Sequence, residues 1–322
     1  MIRHILIDGS VFEHPATGVA KAALGLYQGV QQLRPDLQIS LAHRGPLRNG
    51  IPNGWTILTA PPGTDERTWR NRTLPTLVRE VKPDVVHFPW NGGVPRLPRG
   101  PRAVVTLHDV LPLEIPGYFR TTLGRWRYLL RKRRDLARAA LVITDSHYSR
   151  QRIEQALRPR RAPVVVYLAT LLPPARAGTP GAPYYVYVGG YDRRKGLDIL
   201  LEVFRTLRQT GQLSTRLVLT GTPHYFSPAF EAAVRELSGR GWLEERGYLD
   251  DQALADTLAG ARALLYPSRY EGFGFPPLEA MSLGCPVVTT RQTSLPEVCG
   301  EAALYIDPED RAAFARAWLD LD

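Results

Sequence analysis

Tyr266-Pro-Ser-Arg-Tyr-Glu-Gly-Phe-Gly-Phe-Pro-Pro-Leu-Glu-Ala-Met-Ser-Leu-Gly-Cys-Pro-Val-Val288 reads as the end of a strand, a glycine-rich loop, a helix and a second strand. The apolar run Ala263-Leu264-Leu265-Tyr266 fits a short strand buried on both faces. Gly272 and Gly274 let the backbone turn tightly and approach a ligand. Pro277 suits the first turn of a helix, where its missing N–H costs nothing. Gly284 suits the helix end, and Cys285 to Thr289 resumes a buried strand. In such a unit a ligand binds beyond the carboxyl end of the first strand, where this loop lies. The helix start offers N–H groups and partial positive charge to phosphate. Glu271 precedes the loop and Glu279 is expected in the first helical turn, so one ligand could meet amides and two carboxylates together.

Glu271 and Glu279 are separated by seven residues with Gly-Phe-Gly-Phe-Pro-Pro-Leu between them. This run resembles the E-x7-E signature of glycosyltransferase family 4, and Leu295-Pro-Glu-Val-Cys-Gly-Glu-Ala-Ala-Leu304 resembles the segment that follows it. The likeness runs from about Val186 to Asp310, with weaker echoes back to residue 1. A helix capped with acid would account for Glu279 alone, but not for Glu271 or the paired glycines. The resemblance implies a retaining enzyme of GT-B fold that uses a nucleotide-sugar donor. It implies that Glu279 holds the ribose hydroxyls, and that Glu271 with Gly272, Phe273 and Gly274 holds sugar and phosphates. Phe275 and Leu278 complete that binding segment.

Val188-Gly-Gly-Tyr-Asp-Arg-Arg-Lys-Gly196 is the second informative stretch. Gly189 and Gly190 end a strand, and Arg194 and Lys195 precede a helix. A departing diphosphate needs cations to offset its growing charge. Arginine grips it with two donors, and lysine acts as a point charge. By itself this is an ordinary basic loop; beside Glu271 it resembles the family's phosphate clamp. Many members of the family carry an arginine where Gly190 stands, so Arg194 is expected to serve here, with Arg193 facing solvent. In Val104-Val-Thr-Leu-His-Asp-Val-Leu-Pro-Leu113, His108 lies just past a strand end, and the resemblance makes it a contact of the donor sugar. Asp109 is read as a loop or turn residue. Thr17-Gly-Val-Ala20 resembles the family's glycine loop, with Gly18 approaching the diphosphate. The absence of G-x-G-x-x-G between Asp8 and Gly18 argues against a dinucleotide enzyme.

A chain of 322 residues exceeds one ordinary core and suggests two domains. Hydrophobic residues make up 44%, yet no apolar run approaches the roughly 18 residues of a membrane span. Met1 to Asp8 reads as a strand rather than a signal peptide. Cys285 and Cys299 are the only cysteines and fit buried thiols in a reducing cytoplasm. The histidines show no metal-ligand spacing, and no Asp-x-Asp motif occurs, so no metal and no prosthetic group is expected. Asp250-Asp251 reads as a turn. No Gly-x-Ser-x-Gly or Cys–His pattern suggests a hydrolase.

The charge is uneven. Residues 1–172 carry 26 Lys+Arg against 12 Asp+Glu, a net +14, whereas 173–322 carry 15 against 19, a net −4. The basic half is suited to an anionic acceptor or to peripheral contact with an anionic membrane at its inner face. Arg125, Arg127, Arg131, Lys132, Arg133 and Arg134 surround Trp126, Leu129 and Leu130. That pattern fits a basic amphipathic helix on lipid and equally a solvated helix face. A nucleic-acid-binding protein would also be basic, but the aromatics do not interleave with the basic residues as a stacking platform would.

Strand and helix signals alternate on both sides of Leu172-Pro-Pro-Ala-Arg-Ala-Gly-Thr-Pro-Gly-Ala-Pro183, a proline- and glycine-rich linker. The expected fold is α/β, with two doubly wound Rossmann-like domains facing across a cleft in the GT-B manner. The domains would span 1–171 on the acceptor side and 184–322 on the nucleotide-sugar side, with 172–183 between. Family chains usually continue with a helix that crosses back, whereas this sequence stops within a helix that begins near Asp310. The second domain is therefore expected to lack that crossover helix. The functional expectation is a hexosyltransferase acting on a glycan or lipid-linked acceptor. Mannosyltransferase-like members are the nearest resemblance, which favours GDP-mannose over a UDP-sugar. A sugar phosphorylase or nucleotide-sugar epimerase of the same fold is the enzymatic alternative.

Overall fold

The structure, a computed structural model, describes residues 2–14, 18–48, 50–176 and 184–322. Thr17 and residues 177–183 of the expected linker lie outside the described residues. The chain divides into two compact units, residues 1–169 and 170–322.

The first unit is built on seven parallel strands. They are β1 (His4–Asp8), β2 (Gln38–His43), β3 (Thr56–Thr59), β4 (Val85–Phe88), β5 (Arg102–Thr106), β6 (Leu141–Thr144) and β7 (Val164–Val165), in the order β3-β2-β1-β4-β5-β6-β7. In register, Ile5 lies beside Ile39 on one side and Val85 on the other, so β1 and β4 form the middle of the sheet. Leu6, Val86 and Val105 pack with Trp69, Leu74 and Val78 on one face. Ile7, Ile39 and Leu41 pack with Ala20, Ala23 and Tyr27 on the other. The first long helix spans Gly18–Leu33, and its small residues let it lie close to the sheet.

The second unit has six parallel strands: β8 (Tyr184–Val188), β9 (Arg216–Thr220), β10 (Leu243–Gly247), β11 (Ala263–Tyr266), β12 (Val287–Thr290) and β13 (Leu304–Ile306). Their order is β10-β9-β8-β11-β12-β13. Every residue of β8, β11 and β12 is buried, the pattern of a parallel sheet covered on both faces. Leu197, Leu200, Leu201, Phe204 and Leu207 of the Leu197–Gln209 helix enter this core at helical spacing. Arg311–Leu319 forms the last helix, whose Trp318 stacks on Phe204 at 5.5 Å.

Each sheet winds outward in both directions from a central strand pair, β1–β4 in the first and β8–β11 in the second. Ligands of doubly wound sheets bind outside the carboxyl ends of such a pair. The two stretches singled out in the second half, 189–196 and 267–275, are the loops that leave β8 and β11.

Candidate active site

The loop after β11 enters its helix at Phe275, which puts Pro277 in the first turn, as expected. Gly274 takes φ +117° as the cap, where an L side chain would be strained. Pro276 and Pro277 occupy early positions whose N–H groups have no helical partner. Glu279 therefore stands in the second helical turn, not the first, and is buried. Gly284 follows the helix with φ +73°, and the next strand begins at Val287, so Cys285 precedes it. Phe273 and Phe275 meet edge to face at 5.9 Å, while Leu278 is partly exposed.

Glu271 is the centre of a buried polar cluster. Its Oε1 accepts from Tyr266 Oη at 2.7 Å and from Ser268 Oγ at 2.8 Å. Arg194 Nη1 lies 3.4 Å from the same oxygen. Among the described residues no hydrogen bond reaches Oε2. Thr293 Oγ1 accepts the Glu271 N–H at 3.0 Å, and Ser294 Oγ donates to the carbonyls of Glu271 and Phe273 at 2.9 and 2.7 Å. The loop is thus fixed from beneath by residues that follow β12. Burial alone would raise the Glu271 pKa, but the charges of Lys195 and Arg194 outweigh it, so the carboxyl is held below its ordinary range.

Lys195 reaches the same cluster from the loop after β8. Its Nζ donates to Tyr266 Oη at 3.1 Å, and the ammonium lies 5.5 Å from the centre of the Tyr266 ring. The ammonium also comes within 2.8 Å of where a Cβ on Gly189 would stand, and Gly189 has φ +141°. Only glycine fits there. Gly190 is different: a Cβ would make only an ordinary contact, 3.8 Å from the Thr222 carbonyl. Gly190 could therefore carry a Cβ without a clash. Burial lowers the Lys195 pKa, opposed by the nearby Glu271 charge. Burial also drives the Tyr266 phenol well above its ordinary value, so it remains a proton donor to Glu271. Arg194 is held by Asp192 of its own loop at 2.9 Å and by the Tyr270 carbonyl of the loop after β11 at 2.8 Å. Arg193 is exposed, as expected.

In the first unit His108 follows β5 and is buried with Asp145, which follows β6. Its Nδ1–H donates to Asp145 Oδ2 at 2.6 Å, and Nε2 lies 3.2 Å from the Pro89 carbonyl. Both ring nitrogens thus face acceptors, which suits the doubly protonated ring. Burial alone would lower its pKa, but the Asp145 charge and hydrogen bond outweigh that and raise it. The His108 N–H donates to Asn91 Oδ1 at 2.8 Å, and Asn91 Nδ2 donates to Asp109 at 3.1 Å. Asp109 also caps Leu111, the loop role expected for it. A cavity of 90 Å³ opens beside His108, lined also by His87, Asp145, Tyr167, Ala22 and Ala23. His87 is bonded to Tyr27 at 2.7 Å and to Thr106 at 2.8 Å; burial pushes its pKa down to about 3, so it stays neutral. Gly18 is exposed at the start of its helix.

The structure thus gathers Glu271, Arg194, Lys195 and Gly189 into one cluster and places His108 in another. Tyr266, Ser268 and Asp145 are the residues that sequence reasoning passed over. The signal for Asp145 was available: Asp145-Ser146 ends an apolar strand, as His108-Asp109 does. Asp250, read as a turn, instead caps the Asp251–Ala259 helix through Ala253 N at 2.8 Å. Among the described residues, no group of three or more histidine, cysteine, aspartate or glutamate side chains could hold a metal ion.

Two family profiles cover the chain in tandem. One, described as Glycosyltransferase Family 4, matches residues 18–169; the other, described as Glycosyl transferases group 1, matches residues 182–321. An O-antigen chain mannosyltransferase B of Escherichia coli is 33% identical over 250 residues, which is 72% of this chain and 64% of that protein. The chain therefore spans just under two thirds of that relative's length. Among solved structures, WaaG, a glycosyltransferase involved in lipopolysaccharide biosynthesis, aligns with a TM-score of 0.71 at 16% identity, covering 99% of this chain and 93% of that one. Anabaena HepE in complex with UDP and glucose aligns with a TM-score of 0.69 at 16% identity, covering 99% and 89%. With its two parallel-sheet Rossmann-like units, the chain has the GT-B fold. It belongs to glycosyltransferase family 4.

Proposed function

We propose that this chain is a retaining glycosyltransferase that moves mannose from GDP-mannose to a glycan or lipid-linked acceptor. The observation that carries the reading is the Glu271 cluster. One carboxylate oxygen is fixed by Tyr266, Ser268 and Arg194, which leaves the other for a ligand, and the Lys195 ammonium stands beside it. Glu279 binds the ribose hydroxyls, and Glu271 with Gly272, Phe273, Gly274, Phe275 and Leu278 contacts the sugar and phosphates. Gly189, Gly190 and Gly18 allow close approach of backbone to the diphosphate, and His108 meets the sugar. Arg194 and Lys195 offset the charge that grows on the diphosphate as the sugar C1–O bond breaks. The acceptor hydroxyl attacks C1 from the face the diphosphate leaves, and a phosphate oxygen takes its proton. The anomeric configuration is thereby kept without a carboxylate nucleophile, for which the cluster offers no separate candidate.

In this reading the basic half, residues 1–171, receives the acceptor, residues 184–322 bind the donor, and 172–183 joins them. The mannosyltransferase relative favours mannose. HepE was solved with UDP, which keeps a UDP-sugar as the rival donor. Two free, buried thiols suit a cytoplasmic setting. No metal or prosthetic group takes part.

Calorimetry with GDP and UDP tests the donor assignment. Glu279→Ala is expected to weaken nucleotide binding, and Glu271→Ala to lower turnover while binding persists. Unchanged affinity in Glu279→Ala would sink the ribose assignment. Product analysis with and without acceptor separates transfer from the phosphorylase and epimerase alternatives.

A further inference from the structure

The Thr122–Arg138 helix uses its two faces differently. Lys132, which the sequence groups with a basic face, is instead buried, as are Asp135 and Leu136. The Lys132 ammonium donates to the carbonyls of Asn91 and of Gly92, the latter at 2.9 Å, and Arg138 donates to the Val94 carbonyl at 3.0 Å. The inner face thus grips the loop after β4, and Leu129 turns towards the same core. The outer face has no such task. Leu123, Trp126 and Leu130 are 62, 58 and 60% exposed. Their spacing, three and then four residues, places them on one stripe of the helix. Arg127, Arg131 and Arg134 run beside the stripe, are exposed, and make no ion pair among the described residues. Single exposed apolar residues are ordinary; an aligned row containing a tryptophan and bordered by unpaired arginines is not.

We propose that this outer face docks on an anionic membrane surface. Leu123, Trp126 and Leu130 would enter the headgroup boundary, and the arginines would meet lipid phosphates. The net +14 of residues 1–172 gives the same preference at longer range. A second copy of the chain is disfavoured, because a two-fold contact would set these arginines against one another. Docking stands independently of the donor assignment. Together with the proposed function, it narrows the acceptor to a lipid-linked one, presented to the basic unit from the same surface.

The test is co-sedimentation of the full chain with vesicles of phosphatidylcholine alone and of phosphatidylcholine mixed with phosphatidylglycerol. Binding to the anionic vesicles is expected to be about tenfold tighter or more. It should be released between about 0.1 and 1 M salt, as the Debye length falls from about 10 to about 3 Å. Combined Leu123→Ser, Trp126→Ser and Leu130→Ser should abolish binding while leaving nucleotide affinity intact. Combined Arg127→Gln, Arg131→Gln and Arg134→Gln should weaken the anionic preference. Equal binding to both vesicles, binding to neither, or full binding by the serine variant would overturn the proposal. So would a dimer in solution that the serine variant dissolves, since that assigns the face to a second copy. Loss of nucleotide binding with docking retained would instead count against the donor reading alone.

Discussion

Tyr266 is the last residue of β11 and also connects a cation to an anion: it accepts from Lys195 and donates to Glu271. Replacing it with phenylalanine keeps the ring and removes only this link. Tyr266→Phe is expected to cost about 1 kcal/mol of stability, the usual net worth of a buried hydrogen bond. It also withdraws one of the interactions that hold the Glu271 pKa low, so that pKa rises. Turnover should then fall away at a higher pH on its acid side than in the parent chain, while nucleotide affinity changes little; an acid limb that stays in place would remove Tyr266 from the proposed mechanism. Lys195→Ala is the sharper change. Losing one preorganised charge partner typically costs about 2–4 kcal/mol of transition-state stabilisation, read as the change in kcat/KM. Lys195→Arg should not restore full activity, because a planar fork cannot take the place of a point charge beside Gly189. Glu271 and Lys195 were legible in the sequence because glycines at strand ends announce a ligand loop. Tyr266 and Ser268 were not, since hydroxyls are ordinary in and after strands and their partners are set by the fold.

At the scale of elements, the two ligand loops are locked together. The Arg269 N–H donates to the Arg194 carbonyl at 2.7 Å, and the Arg269 guanidinium reaches the Arg193 carbonyl at 2.9 Å and Asp198 at 3.0 Å. Gly196 makes this possible. It has φ +70°, and a Cβ there would come within 2.0 Å of the Pro267 carbonyl oxygen. Gly196→Ala is expected to destabilise the chain by about 3 kcal/mol, from left-handed strain plus displacement of one loop from the other. Because Lys195 adjoins it, nucleotide-sugar turnover should fall further than that stability loss explains under conditions where the variant is still folded. Thermal unfolding measures the first effect and turnover well below the unfolding midpoint the second, and a variant with parental stability would refute the packing argument. Element existence was easy to read where an apolar run leads into a glycine-bearing loop, as at β8 and β11. It was hard at β3 and β10, edge strands that are largely exposed and so carry no buried-strand signal. The turn that holds Glu279 was misread because prolines mark the first turn without saying which of its positions they fill.

For the whole molecule, the doubly wound order of both sheets followed from repeated strand–helix alternation, since right-handed crossovers leave few other arrangements. The buried polar pairs did not, because they join residues tens of positions apart, and they determine how the two units respond to acid. In the first unit His87 is neutral, its pKa pushed down by burial to about 3 from an ordinary 6.5. A depressed folded pKa means that the unfolded chain binds the proton first. The contribution of His87 is therefore present above about 6.5 and is lost as pH falls toward 3. His108 works the other way: its raised pKa gives a contribution fully present below 6.5, so it does not change in this acid window. Asp8 and Asp135, raised by burial, oppose the loss as they protonate in the folded state. In the second unit the lowered pKa of Glu271 costs stability only below its ordinary value of 4.5. Between pH 6.5 and 5 the first unit alone should therefore feel its buried histidine. One proton over that interval corresponds to about 2 kcal/mol. Hydrogen exchange of the β4 and β5 amides, corrected for intrinsic rate, would read it directly, with β8 and β11 as the internal reference. In His87→Gln the β4 and β5 protection should lose most of this pH dependence, the remainder coming from His4, whose pKa burial also lowers, while the second unit behaves as in the parent. An unchanged slope in the variant would mean that His87 titrates as an ordinary solvated imidazole.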